Sequence, residues 1–335
     1  MIKTDISPAL SIVVPCYNEK DSLAELHNRV LQAAEPEVGK SFELILVDDG
    51  STDGTTRLIE ELSHACPHTV GLVLSRNHGH QKALSAGLKY CRGARIFILD
   101  ADLQDPPELL GQMMQLMDDG ADVVYGQRKS RDGETISKSV SASLFYRLLN
   151  RMTDVDIPLD TGDFRLLSRK VLDHLNAMPE EDRFVRGMVS WLGFAQVPFL
   201  YDRAERFAGE TKYPLRKMMR LAIDAITGFS IVPLRIATIL SAFVALLSVV
   251  MIVYVLAQWA LGHVVAGWSS VMVVVLTVSS VQLLTIGILG EYLGRLYMQS
   301  KKRPLFIVDR FITGKTTEKS KTVKSRKPRQ KQKQT

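Results

Sequence analysis

The chain has 335 residues, 46% of them hydrophobic, and a formal net charge of +6. Residues 315–335 hold nine Lys or Arg and one Glu, a net of +8 that leaves −2 for everything before them, so the body is not basic and a nucleic-acid partner loses its main support. Cys16, Cys66 and Cys91 are scattered with no Cys-x-x-Cys pair, which argues against structural zinc and fits reduced thiols.

Residues 10–15 form an apolar run with the length of a buried strand, and Cys16-Tyr-Asn-Glu19 follows. Asp21 or Ser22 can cap a helix reaching about residue 34. A second strand over residues 42–47 ends in Asp48-Asp49-Gly50-Ser51, and a helix over about 55–65 follows. Residues 71–75 are a third strand, and His78-Gly-His-Gln-Lys82 opens the next helix. The fourth strand, from Ile96, turns acidic at Asp100-Ala101-Asp102, and Asp105 stands where it could cap a helix opening at Pro106-Pro107. Strands alternating with helices predict an α/β fold with a mostly parallel sheet. No G-x-G-x-x-G follows the first strand, so the dinucleotide fingerprint is absent.

Ligands in such sheets bind outside the carboxyl ends of the strands. Two carboxylates two residues apart at such an end suit a hard divalent cation, which takes oxygen ligands and shares them with phosphates. With acidic pairs on two strand ends, one can hold the metal and the other a neutral polar group such as a nucleobase or ribose.

Residues 121–126 are a further strand, and 139–151 read as a helix. Asp160-Thr-Gly-Asp-Phe-Arg165 reads as a polar, glycine-containing turn, and residues 180–193 as a helix carrying Arg183, Arg186 and Trp191. Residues 214–234 have apolar side chains at three- and four-residue steps with Arg216, Lys217 and Arg220 among them, the pattern of an amphipathic helix on a membrane surface. Residues 236–290 contain no Asp, Glu, Lys or Arg. They divide into two spans, about 236–259 and 269–290, each beyond the roughly 20 residues needed to cross a bilayer. Arg235 precedes them, Arg295, Lys301, Lys302 and Arg303 follow, and the connecting loop has no Lys or Arg, which places both ends in the cytoplasm. The domains expected are 1–213 cytosolic, 214–234 juxtamembrane, 235–298 transmembrane, and 299–335 a basic tail, disordered from about 315. Next to a membrane that tail would favour anionic lipid; it could equally serve solubility.

Pro15-Cys-Tyr-Asn-Glu19, Asp48-Asp-Gly-Ser-Thr-Asp53 and Asp100-Ala-Asp-Leu-Gln-Asp105 resemble the inverting nucleotide-sugar glycosyltransferases of GT-A fold, a Rossmann-like α/β architecture. Asn77-His-Gly-His-Gln-Lys82, Asp160–Arg165, Arg206-Phe-Ala-Gly-Glu-Thr-Lys-Tyr213 and the two spans narrow this to the polyprenyl-phosphate glycosyltransferases, which include bactoprenol glucosyltransferases and relatives of dolichyl-phosphate mannose synthase. The likeness covers about residues 8–312. It implies a nucleotide pocket of Pro15, Tyr17, Glu19 and Asp49, with Lys82 and Ala101 at the same nucleotide-sugar site. It implies Mg2+ or Mn2+ on Asp100, Asp102 and Gln104, and Arg206 and Lys212 on the donor diphosphate. Arg128, Lys138 and Ser143 would bind the lipid phosphate, and Asp163 would act as base or orient the acceptor. The implied activity is metal-dependent transfer of a hexose, most readily glucose from UDP-glucose, to undecaprenyl phosphate at the cytoplasmic face of the inner (plasma) membrane, by a multi-pass dimer or tetramer. GDP-mannose as donor, a processive polysaccharide synthase, and a non-catalytic scaffold are the alternatives. No Gln-x-x-Arg-Trp supports the synthase, and no residue needed for catalysis is missing, which counts against the scaffold.

Overall fold

The structure, a computed structural model, describes residues 7–128, 161–202, 232–262, 267–314 and 316–319. The predicted alternation is present: β1 (Leu10–Cys16), α1 (Lys20–Val38), β2 (Phe42–Asp48), α2 (Thr55–Ala65), β3 (Thr69–Leu74), α3 (His80–Tyr90) and β4 (Arg95–Ile98). A 3₁₀ turn (Pro107–Leu109) leads into α4 (Leu110–Asp118) and β5 (Val123–Arg128). Then come β6 (Thr161–Ser168), α5 (Arg169–Ala177), α6 (Val185–Trp191) and β7 (Gln196–Tyr201). Two long helices, α7 (Val232–Ala260) and α8 (Trp268–Ser300), precede β8 (Val308–Thr313) and β9 (Thr316–Lys319).

The nine strands form one sheet in the order β7-β5-β6-β4-β1-β2-β3-β8-β9. The central four, β4-β1-β2-β3, are mutually parallel, while β6 and β8 run antiparallel on either side of them. The sheet is therefore mixed. Its faces are both covered, which is why β1 and β2 are buried along their whole length and read as continuous apolar runs. Leu10, Ile12 and Val14 meet α1, α2 and α4 on one face. Val13, Ile45 and Val47 meet α3, α5 and α6 on the other.

Five local expectations are corrected. Thr161–Ser168 is a strand, with Asp163 and Arg165 buried in it, because the two charges sit among compensating partners that local polarity does not reveal. Asp105 does not stand at the cap: the 3₁₀ turn opens from Pro106, and Asp105 is fully buried and accepts a hydrogen bond from the Tyr201 hydroxyl. The first helix starts at Lys20, ahead of Asp21 and Ser22, and the helix expected over 180–193 spans only Val185–Trp191. Residues 308–313 are no tail; β8 pairs with β3, and β9 pairs with β8. The close approach depends on Gly71, where an added Cβ would stand 2.8 Å from Ile59 and 3.2 Å from the fully buried Ile312. The juxtamembrane helix of 214–234 and the helix of 139–151 lie outside the described residues, apart from the start of α7.

Two apolar stretches of these helices, Val232–Gln258 and Val273–Ser300, are long and apolar enough to cross a membrane, and the most apolar window of each is not buried inside the protein. They pack on each other, and Ser241 Oγ meets Thr285 Oγ1 at 3.4 Å, consistent with a packing role for the polar residues in the spans.

Candidate functional site

The parallel strands end together, and a cleft of about 330 Å³ opens at that edge. β1 contributes Pro15, Cys16, Tyr17 and Glu19; β2 contributes Asp49; the turn after β4 contributes Asp100, Ala101 and Asp102. Asn77, Gly79 and His80 enter from the turn between β3 and α3, while Asp163 and Arg186 come from β6 and α6. Antiparallel pairing sets Ile98 opposite Arg165, and two more residues along that register bring Asp100 beside Asp163.

Much of the sequence around these residues is scaffold. Asp48 accepts from the Ser51 backbone N–H at 3.0 Å and from the Thr56 hydroxyl. Asn18 Oδ1 accepts from Thr52 N at 2.8 Å, and Thr55 Oγ1 accepts from Glu19 N at 3.0 Å, which laces the first two strand ends together. Both oxygens of the buried Asp49 accept backbone N–H groups, from His78 at 2.7 Å and Gly79 at 2.9 Å. Burial raises its carboxyl above the ordinary value despite those bonds. Leu103 is buried at φ +60, a left-handed conformation costly for a branched side chain, just past Asp102.

Asp163 is the centre of the polar network. Its side chain is 1% exposed. Oδ2 accepts from Gln81 Nε2 at 2.8 Å and lies 3.0 Å from His80 Nε2; Oδ1 accepts from Arg186 Nε at 2.9 Å. Burial alone would push this carboxyl up, but Arg186, His80 and Arg165 outweigh it and hold it well below the usual carboxylate range. Burial likewise opposes the His80 imidazolium, and Asp163 and Asp100 reverse that and raise it.

Asp100 is different. Burial raises its carboxyl, and Asp163, Asp105 and Asp102 add to the effect against the pull of His80. Its Oδ1 is buried without a hydrogen bond, with His80 Nε2 at 3.4 Å. One oxygen from each of Asp100 and Asp163 and a nitrogen of His80 lie within 4.8 Å of one another. A buried carboxylate oxygen without a hydrogen-bond donor, among other carboxylates, fits a divalent cation. Asp163 is the poorer ligand because its oxygens already face three donors. Asp102 stands at the same cleft, and its Oδ1 accepts from Gln104 N at 3.2 Å.

The cleft thus brings together Pro15, Tyr17, Glu19, Asp49, Asp100, Ala101, Asp102 and Asp163 from the predicted set. Lys82 and Gln104, both half-buried, lie outside its lining. So does Arg128, whose positive charge lies near enough to Tyr201 to counter part of the rise that burial imposes on its hydroxyl. Lys138, Ser143, Arg206 and Lys212 lie outside the described residues. His80, Gln81 and Arg186 were not among the predicted site residues. The available signal for the first two was Asn77-His-Gly-His-Gln at a third strand end, equivalent in place to the two acidic ends; Arg186 had no local signal.

A GT-A-like mixed sheet with an acidic cleft at its parallel strand ends defines a glycosyltransferase architecture. The chain belongs to glycosyl transferase family 2: residues 11–175 match that family, and residues 232–296 match the GtrB C-terminal hairpin. It is 45% identical over 303 residues to the uncharacterized glycosyltransferase YkcC of Bacillus subtilis (strain 168), covering 90% of this chain and 93% of the relative. It is 37% identical over 309 residues to a prophage bactoprenol glucosyl transferase homolog of Escherichia coli (strain K12), covering 90% of this chain and 98% of that one. Among solved structures, S. aureus TarS 1–349 in complex with UDP-GlcNAc aligns at TM-score 0.46 and 18% identity over 65% of each chain, too distant to add to the fold.

Proposed function

We propose that this protein transfers a hexose, with UDP-glucose the leading donor, to a polyprenyl phosphate such as undecaprenyl phosphate, with inversion at the sugar. The observation that carries the reading is the state of Asp163. A carboxylate that already accepts from Gln81 and Arg186 beside His80, and is held far below the usual range, is a poor proton acceptor. An acceptor hydroxyl would need a base. A phosphate monoester, with a second pKa of about 6, is mostly dianionic at neutral pH and needs none.

Mg2+ or Mn2+ on Asp100 and Asp102, with Gln104 nearby, would neutralise charge developing on the leaving diphosphate. Pro15, Tyr17, Glu19 and Asp49 would hold the nucleotide, with Lys82 and Ala101 close to it. Arg186 would face the phosphates from the cleft wall, while Arg206 and Lys212 would reach the diphosphate. Arg128, Lys138 and Ser143 are the candidates for the acceptor phosphate. The polyprenyl chain stays in the bilayer with its phosphate at the headgroups. A catalytic domain joined to two membrane helices, with both termini cytoplasmic, would meet it there. A dimer or tetramer is the expected assembly. The relatives named bactoprenol glucosyl transferase support this acceptor.

The test is a membrane assay with labelled nucleotide sugars and undecaprenyl phosphate, with and without EDTA. A lipid-linked monosaccharide formed from UDP-glucose and abolished by EDTA is expected. A labelled product only from GDP-mannose would change the donor; a long polymer, or no lipid product from any nucleotide sugar, would refute the reading.

A further inference from the structure

Gln81 follows His80 on α3, and its side-chain amide is engaged at both ends by two other elements. Nε2 donates to Asp163 Oδ2 at 2.8 Å, and Oε1 accepts from the Val185 backbone N–H at 2.9 Å. A backbone N–H can only donate, and a carboxylate held ionised can only accept, so both bonds fix one orientation of the amide. Glutamate could only accept here, lysine could only donate, and methionine of similar length could do neither.

Val185 is the first residue of α6, where helical N–H groups lack partners within the helix. Phe184, the residue before it, supplies no side-chain cap. Gln81 therefore caps α6 from α3. The helix has seven residues, too few to hold itself together without tertiary contacts. Val185, Met188 and Val189 bury one side of it against the sheet and set its depth. The next residue after the capped N–H is Arg186, which reaches the carboxylate that Gln81 also holds and bonds Thr161 O at 3.0 Å.

We infer that Gln81 is a positioning residue: it fixes where α6 begins and thereby where the Arg186 guanidinium stands over the cleft. Its kinetic consequence rests on the proposed transfer reaction; its structural consequence does not. The experiment uses the full chain in lipid nanodiscs and reads two quantities. In Gln81→Met, amide hydrogen exchange over residues 183–190 rises about fivefold or more, the loss expected for one hydrogen bond, while β1 and β2 exchange as in wild type. In transfer assays Gln81→Met lowers kcat/KM about tenfold in the wild-type background and less than about twofold in an Arg186→Lys background, because the two changes act through one group. If Gln81→Met is too unstable to assay, Gln81→Glu, which keeps the acceptor for Val185 but loses the donor to Asp163, enters the same double-mutant cycle. Unchanged exchange over 183–190, or losses that simply multiply in the double variant, would overturn the assignment. If wild type transfers no sugar to a polyprenyl phosphate, the proposed function fails, and the exchange measurement alone decides the role of Gln81.

Discussion

Asp163→Asn removes one charge and almost no volume from the centre of the site. Three donors converge on the native carboxylate, from Gln81, His80 and Arg186, and the Asn amide must turn its own NH2 toward at least one of them. Arg165, 3% exposed, loses its nearby counter-charge as well. Removing one partner of a buried ion pair costs about 3–5 kcal/mol. The Arg186 side chain is 29% exposed, so water recovers part of that, and about 3 kcal/mol is expected. For a domain of this size that is a fall of roughly 6–12 °C in Tm. The folded carboxyl pKa is depressed, so its stabilisation is fully present above the unfolded value and is lost only as pH falls through the folded one. The Asp163 share of the gap in Tm is therefore constant above about pH 6, but the share that runs through His80, whose imidazolium Asp163 helps hold charged, is lost as pH rises through the raised His80 value, so the gap should narrow toward about pH 9. Transfer should fall about 100-fold, the effect of shifting a positioned group by about 1 Å. The deficit in transfer should be flat above about pH 7, where the acceptor phosphate is dianionic without help. Measurement is by thermal unfolding and initial transfer rates across that range. A deficit that closes with rising pH would mean that Asp163 takes a proton, and a wild-type Tm would mean that the network is not what holds this strand.

Asp102 lies at the cleft and is half-buried, so Asp102→Asn should abolish transfer with a change of no more than about 0.5 kcal/mol in stability; wild-type rates would remove the metal assignment. Gly50 has φ +72, and a Cβ there would stand 2.6 Å from Asn77 N, so Gly50→Ala should destabilise by about 2–4 kcal/mol and weaken nucleotide binding, read by calorimetry with UDP. Ile312→Ala should cost about 2–5 kcal/mol although it follows both long apolar helices, checked by denaturant titration in detergent; a neutral result would detach β8 from the core. Burial pushes the Cys91 thiol up to about 11 and raises Cys16 as well, so a maleimide at neutral pH should label the half-buried Cys66 alone of the three; modification of Cys16 would show that the cleft floor opens.

The first four strands were legible because each is a short apolar run ended by polar turn residues, and the two acidic ends among them come to one edge because the strands run parallel. The two long apolar helices were legible from length and lack of charge. Thr161–Ser168 was not, because Asp163 and Arg165 resemble a solvated turn until Arg186 and Gln81 arrive from elsewhere in the chain. Asp105 suited a cap by spacing, and only the Tyr201 hydroxyl, far along the sequence, explains its burial. β8 was hidden by its neighbours: Val308-Asp-Arg-Phe-Ile-Thr313 stands between two basic stretches, and its pairing partner β3 lies more than 200 residues earlier. Of the site, the acidic members could be read from strand ends, whereas Arg186 depends on how α6 is held and has no local signature.

The polypeptide leaves the sheet at one margin, through β7, and after both long helices rejoins it at the opposite margin, through β8. The far end of the second long helix is thus followed within a few residues by a strand of the core sheet, so that end is tied to the catalytic domain. A shortened, water-soluble version ending before Val232 would forfeit β8 and leave the margin of β3 bare, inviting sheet-to-sheet clumping. Removing the two long helices by truncation would therefore injure the catalytic half as well.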